Sequence, residues 1–222
     1  MYPLGRVPSK FDSRNWKLED FQSLLLPSLR YALPTSKRWS FPHRPLDQGD
    51  TGHCVGFSMA DWGISSPIND KDNNKTGHAY YYFCKEIDGE PKQENGSSIA
   101  TAAKALKQLK LITAYAFASN IKQIVYQILT KSPVIVGTDW TESMYYPDEN
   151  GVIKPEGVSV GGHAYLLDEV TSSGMIGIRN SWGASWGKIG RAYMTFADFD
   201  KLFKHGGEAL AAVEVEHAKQ SS

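Results

Sequence analysis

The feature that most constrains the fold of this chain is a change of hydrophobic period at Pro133. Before it, apolar residues recur at three- and four-residue spacing, which places them on one face of a helix. After it, short runs rich in β-branched and aromatic residues alternate with turns that contain glycine. This order predicts an α+β protein in which a helical lobe packs against an antiparallel β-sheet lobe.

Four segments of the first half are predicted to be helices. The run from Cys54 to Ile64 is apolar on nearly every side, so its helix should be buried on most faces. A polar loop at 64–77 separates it from a second helix at 78–87. A surface helix begins after Gly96, and a fourth helix opens at Asn120, whose side chain can cap it.

Four strands are predicted in the second half. The sequences of these strands are PVIVGTDW at 133–140, AYLLDEV at 164–170, MIGIRNSW at 175–182 and RAYMTF at 191–196. A cleft between the helical lobe and the sheet lobe is the expected place for a ligand.

Charge and composition exclude several classes of function. Lys plus Arg equals Asp plus Glu at 24 each, without a basic stripe interleaved with aromatic residues, so nucleic acid is not an expected partner. No segment approaches the roughly 20 apolar residues of a membrane span, and the N-terminus lacks the apolar core of a signal peptide. These features predict a cytoplasmic protein. The histidines, cysteines and acidic residues have no metal-ligand spacing, so no metal or cofactor is expected.

Cys54 stands where its helix should begin, after a loop in which Gly49 and Gly52 allow sharp turns. A helix N-terminus lowers the pKa of a cysteine thiol and favours the nucleophilic thiolate. Taken alone, however, a cysteine that opens an apolar helix is more often an inert core residue. With Cys84 as the second cysteine, one disulfide is possible, but two free thiols are expected inside a cell.

A histidine and an asparagine supply the other parts of a catalytic group. His163 follows two glycines at the predicted start of a strand, and Asn180 lies at the end of another. Asparagine can accept a hydrogen bond from an imidazole and fix the ring, and Trp182 could shield that bond from water.

Three motifs in this order resemble the papain family of cysteine peptidases, in particular its compact bacterial or phage-type members. They read QGDTGHCVGF at 48–57, GGHA at 161–164 and NSWGASWG at 180–187. The resemblance covers about residues 33–215. It implies the papain-like two-lobe fold, with a central helix that starts at the catalytic cysteine.

The resemblance also implies a role for each matching residue. Cys54 would attack the peptide carbonyl, His163 would act as acid and base, and Asn180 would orient it. Gln48, together with the backbone N–H of Cys54, would stabilise the oxyanion. Trp182 would have a supporting role. The candidate substrate-binding residues are Gly96, Ser97, Gly162 and Ala164, the last as a wall of the S2 pocket.

Three residues near the nucleophile depart from the family pattern. Thr51 replaces a motif cysteine, so the adjacent disulfide of the family cannot form. Val55 replaces a tryptophan, and His53 replaces a serine; His53 is expected to face solvent without a catalytic part. The spacing from Cys54 to His163 is about 20 residues shorter than in papain, which predicts trimmed loops and fewer substrate subsites.

The expected organisation is an N-terminal arm or short pro-region at 1–33, a papain-like peptidase domain at 34–217 and a flexible tail at 218–222. The arm is rich in proline and should be extended, with one short helix at most. The expected partners of the protein are a peptide or protein substrate and its own N-terminal segment, which would act as an inhibitor or as an autoprocessing substrate. Two alternatives stay open: an acyltransferase or cell-wall amidase with the same Cys–His–Asn group, and a weakly catalytic binding or virion-assembly protein. A phage-encoded member would be virion-associated.

Overall fold

Helices precede strands along most of the chain, as the hydrophobic pattern predicts. The structure, a computed structural model, describes residues 2–21 and 34–214; the remainder of the predicted arm and the predicted tail lie outside them. Within the described residues the helices are α1 Cys54–Ile64, α2 Asn74–Ile87, α3 Ile99–Gln108, α4 Ile121–Thr130 and α5 Phe196–Lys204, with short 3-10 turns at Leu18–Phe21 and Glu142–Tyr145. The strands are β1 Lys37–Arg38, β2 Ile112–Phe117, β3 Val134–Thr141, β4 Ser159–Val170, β5 Met175–Arg179, β6 Arg191–Thr195 and β7 Glu208–Glu214.

The strands form one antiparallel sheet in the order β2, β7, β3, β4, β5, β6, and β1 pairs with the end of β4. Strand β4 lies in the interior of this order and is buried along most of its length. His163 on β4 stands opposite Thr138 on β3. Pairing with β3, on a strand that β5 also pairs from Leu166 onward, therefore gives this histidine a rigid position.

Helix α1 is buried at all eleven of its residues, as its apolar sequence predicts. It meets α2 at two glycines: a Cβ added to Gly56 would lie 2.3 Å from the carbonyl oxygen of Gly77. Only glycine allows the two backbones to approach so closely. No helix among the described residues has both the length and the apolar character needed to cross a bilayer.

Two predicted boundaries are wrong for identifiable reasons. Helix α2 begins at Asn74 instead of residue 78, because the Asn73 side chain accepts a hydrogen bond from the Lys75 N–H and caps the helix within the polar loop. Strand β4 begins at Ser159, so His163 lies inside the strand and not at its start, because β3 supplies a hydrogen-bonding partner for the preceding residues.

Asp61 on α1 is buried, and neither of its carboxylate oxygens has a hydrogen-bond partner among the described residues. Burial raises its pKa to about 8. The folded protein therefore holds a proton that the unfolded chain releases between about pH 4 and pH 8, and its stability falls as pH rises through this window. Asp61→Asn is expected to remove this loss, which approaches about 1.4 kcal/mol per pH unit.

Urea denaturation at pH 5 and at pH 8 measures the effect as a difference in unfolding free energy between the variant and the unmodified chain. Asp50→Asn is the matched control, because Asp50 is exposed and its replacement should leave the pH slope unchanged. An Asp61→Asn chain with the slope of the unmodified protein would contradict the assignment.

Candidate active site

Cys54 is the first residue of α1 and is fully buried. Its sulfur accepts a hydrogen bond from the backbone N–H of Ala164 at 3.4 Å. Since Ala164 follows His163 on β4, this contact joins the start of the central helix to the strand that carries the histidine. The loop before Cys54 turns at Gly49, which has a φ of +60°.

His163 and Asn180 are in direct contact. The Nε2 atom of His163 lies 2.8 Å from Oδ1 of Asn180, and that oxygen also accepts from the Ser181 N–H at 2.8 Å. Because an amide oxygen can only accept, the bond places the imidazole proton on Nε2. Nδ1 is then left as a lone-pair acceptor, and it is buried with no partner among the described residues.

Aromatic rings enclose the bond between His163 and Asn180. The ring of Trp182 stacks on His163 with centroids 4.5 Å apart, and the edge of Trp140 approaches the same imidazole at 4.9 Å. Trp182 is itself only 2% exposed. Water is therefore excluded from the hydrogen bond, which strengthens it.

The amide of Gln48 is buried and is held at both its oxygen and its nitrogen. Its Oε1 accepts from the Ser181 hydroxyl at 2.7 Å, which fixes Nε2 as the donating end. Nε2 donates to the carbonyl of Thr51 at 2.6 Å and to the carbonyl of Pro3 at 3.3 Å. The side chain thus reaches a peptide carbonyl that lies in the cleft.

That carbonyl belongs to the N-terminal arm, which occupies the cleft as an extended strand. The N–H groups of Gly5 and Arg6 donate to the Gly162 carbonyl at 3.2 and 3.0 Å. On the opposite side, Ser97 donates to the Gly5 carbonyl at 3.0 Å and accepts from the Val7 N–H at 2.8 Å. The arm therefore runs parallel to Ser97 and bridges the helical lobe and the sheet.

The arm is packed tightly against the body of the protein at Tyr2 and at Gly5. Tyr2 stacks on Trp182 with ring centroids 4.7 Å apart and an interplanar angle of 7°. A Cβ added to Gly5 would lie 1.8 Å from the Gly52 carbonyl oxygen, on the loop before Cys54. No side chain can be accommodated at Gly5 while the arm is seated.

Burial sets the protonation of Cys54 and His163 in this state. It raises the pKa of the Cys54 thiol to about 11, although backbone N–H groups of Ala164 and Gly5 stabilise the thiolate. It lowers the pKa of His163 to about 4, although Asn180 stabilises the imidazolium. With the arm in place, both groups are therefore neutral near pH 7.

The four predicted substrate-binding residues lie around the arm or the thiol. Ser97 and Gly162 pair with the arm backbone, and Gly96 packs against it, since an added Cβ would lie 2.2 Å from the Gly5 carbonyl oxygen. Ala164 is fully buried, and its methyl group belongs to the apolar cluster that contains Cys54.

The expectation that His53 faces solvent is wrong. His53 is 1% exposed, because its ring stacks on Tyr81 with centroids 3.7 Å apart. Its Nε2 bonds to Glu94 at 2.5 Å, and its Nδ1 bonds to His78 at 2.7 Å. Burial lowers the pKa of His53 despite the carboxylate. His53, the residue before Cys54, is thus tied through Glu94 to the loop that leads to Ser97.

Sequence reasoning missed a buried lysine that also holds this loop. Lys85 on α2 is 1% exposed and donates to the Gly96 carbonyl at 3.0 Å, to Asn95 at 2.7 Å and to Glu90 at 2.7 Å. No local signal distinguishes it from an exposed lysine, because its partners come from the following loop.

Cys84 is separate from the site. Both cysteines are free, and the Cys84 thiol is buried next to Met59, with the two sulfurs 3.6 Å apart. Burial raises its pKa. Across residues 2–21 and 34–214, no group of three or more histidine, cysteine or acidic side chains is arranged to hold a metal ion.

Solved structures of cysteine proteases share this fold. Xylellain, a cysteine protease from Xylella fastidiosa, is 19% identical, with a TM-score of 0.78 over 96% of this chain and 97% of that one. ProCathepsin B S9 from Trypanosoma congolense is 11% identical, with a TM-score of 0.66 over 96% and 87%. Procathepsin L2 proteinase from the Tenebrio molitor larval midgut is 15% identical, with a TM-score of 0.60 over 96% and 78%.

No curated protein sequence matches the chain significantly. The sequence model of the papain family cysteine proteases matches residues 47–205, which include the helix of Cys54 and the strands around His163 and Asn180. The two-lobe α+β fold predicted from sequence is confirmed. The chain belongs to the papain family and is a cysteine protease, a hydrolase of peptide bonds.

Proposed function

We propose that this protein is an endopeptidase in which Cys54, His163, Asn180 and Gln48 carry out the reaction. The observation that carries the proposal is the hydrogen bond of His163 to Asn180, which leaves Nδ1 of the imidazole as an acceptor. The next residue on β4, Ala164, donates its backbone N–H to the Cys54 sulfur, so the strand that carries the imidazole also contacts the thiol. A histidine held in this way can take the thiol proton and return it to a leaving amine.

The reaction begins when proton transfer from Cys54 to His163 gives a thiolate and an imidazolium. The thiolate attacks the peptide carbonyl carbon, a C–S bond forms, and the carbonyl oxygen becomes an oxyanion. Collapse of this intermediate breaks the C–N bond as His163 protonates the amine. Water, deprotonated by the same histidine, then hydrolyses the thioester and regenerates the thiol.

Gln48 stabilises the oxyanion, together with the backbone N–H of Cys54. The contact of its Nε2 with the Pro3 carbonyl, and the bond that fixes its other end to Ser181, support this role. A donor that is already oriented needs no reorganisation when the charge develops.

Gln48→Ala is expected to lower kcat by about 100- to 1,000-fold and to change KM little, because the lost hydrogen bond strengthens only in the transition state. Steady-state hydrolysis of one peptide substrate, by chains that also carry Gly5→Val to displace the arm from the cleft, measures both constants. Gln123→Ala is the control, because Gln123 lies on α4, away from the thiol, and should leave kcat unchanged. A variant that retains full kcat would contradict the oxyanion role.

The arm makes the described state latent. It occupies the cleft from Tyr2 to Val7 and uses the same Ser97 and Gly162 groups that an extended substrate would need. Substrate can reach the thiol only when this segment leaves the cleft. The N-terminal segment is thus an inhibitor of its own chain.

A peptide library tests hydrolysis directly. The full chain carrying Gly5→Val, which cannot seat its arm, is incubated with the library, and new termini are identified by mass spectrometry. Peptide products with free carboxylates are expected. If added primary amines are incorporated in preference to water, the protein is an acyltransferase, and if no bond is cleaved, hydrolysis is excluded.

A further inference from the structure

Three side chains near the start of α1, His53, His78 and Glu94, form a histidine clamp joined by two hydrogen bonds. The Glu94 carboxylate can only accept, so the Nε2 atom of His53, 2.5 Å from it, carries a proton. The Nδ1 atoms of the two histidines lie 2.7 Å apart, so one of them carries a proton that the other accepts. The clamp therefore fits two neutral imidazoles or one imidazolium, whereas two imidazolium rings would bring two N–H groups head to head.

Two tyrosines of α2 hold His53 in this position. The ring of Tyr81 stacks on its imidazole with centroids 3.7 Å apart, and Tyr82 meets it edge-on at 5.2 Å and donates its hydroxyl proton to Glu94 at 3.0 Å. Among the described residues, the titratable groups that face His53 are thus His78, the two tyrosines and Glu94. Burial raises the pKa of Tyr81 to about 12, and the bond to Glu94 raises that of Tyr82, so both tyrosines stay neutral.

The clamp is connected to the segment that pairs with a peptide backbone. The Tyr81 hydroxyl accepts from the Gly96 N–H at 3.2 Å, and the buried Lys85 donates to the Gly96 carbonyl at 3.0 Å. Gly96 precedes Ser97, whose N–H and carbonyl both pair with the arm. Glu94 lies two residues before Gly96, so the clamp and helix α2 together set the position of Ser97 relative to the thiol.

We infer that His53 is a positioning residue, which through Glu94 holds Ser97 in the place that an extended peptide needs. A second proton on the histidine pair breaks the contact between the two Nδ1 atoms, releases the segment and weakens peptide binding. The inference rests on the proposed function, because it assigns a role in substrate binding at the same site.

The direction of the pH dependence follows from the proton count of the clamp. Released histidines take up protons with a pKa near about 6.5, whereas the intact clamp excludes a second imidazolium. Each pH unit below about 6.5 therefore favours the released state by up to about tenfold. Burial lowers the pKa of His53 despite Glu94, which acts in the same direction. Peptide binding is thus expected to be strong at pH 7 and to weaken as the pH falls to 5.

The test uses the full chain with Gly5→Val, which frees the cleft. Steady-state hydrolysis of one peptide substrate gives kcat and KM at pH 7 and at pH 5. We expect KM of this chain to rise by on the order of 10-fold at pH 5. Adding His78→Asn keeps a donor for Nδ1 of His53 but removes the second proton site, so KM should stay nearly constant. His43→Asn is the matched control, because His43 is exposed and its replacement should preserve the pH dependence.

Glu94 provides a second test at a position where no cavity is opened, since its side chain is 55% exposed. Glu94→Ala removes the acceptor of His53 and should raise KM at pH 7 by about 10-fold with little change in kcat. Glu94→Gln, whose amide oxygen can still accept from Nε2, should restore KM. A KM that is unchanged in Glu94→Ala, or that is raised equally in both variants, would overturn the inference.

A binding measurement separates this inference from the proposed function. Isothermal titration calorimetry of the Gly5→Val chain with the peptide of residues 2–9 reports peptide affinity without relying on turnover. Weaker binding at pH 5 than at pH 7, abolished by His78→Asn, supports the inference even if no peptide is hydrolysed, in which case only the proposed function fails. If the chains with and without His78→Asn respond alike to pH, the inference is overturned and peptide hydrolysis is left intact.

Discussion

Replacing Cys54 with alanine is expected to lower peptide hydrolysis by at least roughly 10,000-fold, because removal of a nucleophile leaves only binding and oxyanion stabilisation. The loss should appear in kcat, with substrate affinity nearly unchanged, since the cleft itself is intact. The measurement compares hydrolysis of one peptide by the Gly5→Val chain with and without Cys54→Ala. The alanine fits the fully buried position without a clash.

Cys84→Ala is the matched control for the nucleophile. Both cysteines are free and buried, but Cys84 lies against Met59 in the core of the helical lobe. Its replacement should lower stability through a small cavity and leave kcat unchanged. Hydrolysis that persists in Cys54→Ala and disappears in Cys84→Ala would refute the assignment of the site.

Displacing the arm with Gly5→Val is expected to raise the rate of Cys54 alkylation at pH 7 by on the order of 100-fold or more. The valine side chain cannot fit next to the Gly52 carbonyl, so the arm leaves the cleft and the thiol becomes accessible. Exposure also removes the burial that holds the thiol pKa near 11, so the thiolate population rises. Mass spectrometry after timed iodoacetamide labelling gives the rate at each cysteine.

Lys10→Ala is the control for this change, because Lys10 lies on the same arm but is exposed. Cys54 in the Lys10→Ala chain should be labelled at the same rate as Cys54 in the unmodified chain. Cys84 should stay unreactive in every variant, since its burial does not depend on the arm. If iodoacetamide labels Cys54 no faster in the Gly5→Val chain than in the unmodified chain, the arm does not restrict access to the thiol.

Local sequence patterns were sufficient to predict the elements that position the site. Helix α4 follows from its apolar spacing and from Asn120, whose side chain caps it by accepting from the Gln123 N–H. Helix α1 follows from a run with almost no polar residue. Strand β7 was not predicted, because its sequence EALAAVE is built mainly from alanine and glutamate, which favour helices, and only its pairing with β2 and β3 makes it a strand.

Contacts between distant segments could not be predicted from the sequence. The motifs around Cys54, His163 and Asn180 pointed to the site because those residue types recur in a fixed order along the chain. By contrast, Arg6 reads as one residue of a proline-rich arm, and its partner Glu208 stands about 200 residues later. His53 was misplaced for the same reason, since the aromatic side chain that covers it comes from α2.

The buried ion pair of Arg6 with Glu208 ties the N-terminal arm to β7, the last strand of the sheet. A mutation at Glu208 would leave the Arg6 guanidinium buried without its carboxylate, which is costly. Such a mutation would therefore loosen the arm and open the cleft. Compensation would require a matching change at Arg6, so the two positions are expected to evolve as a pair.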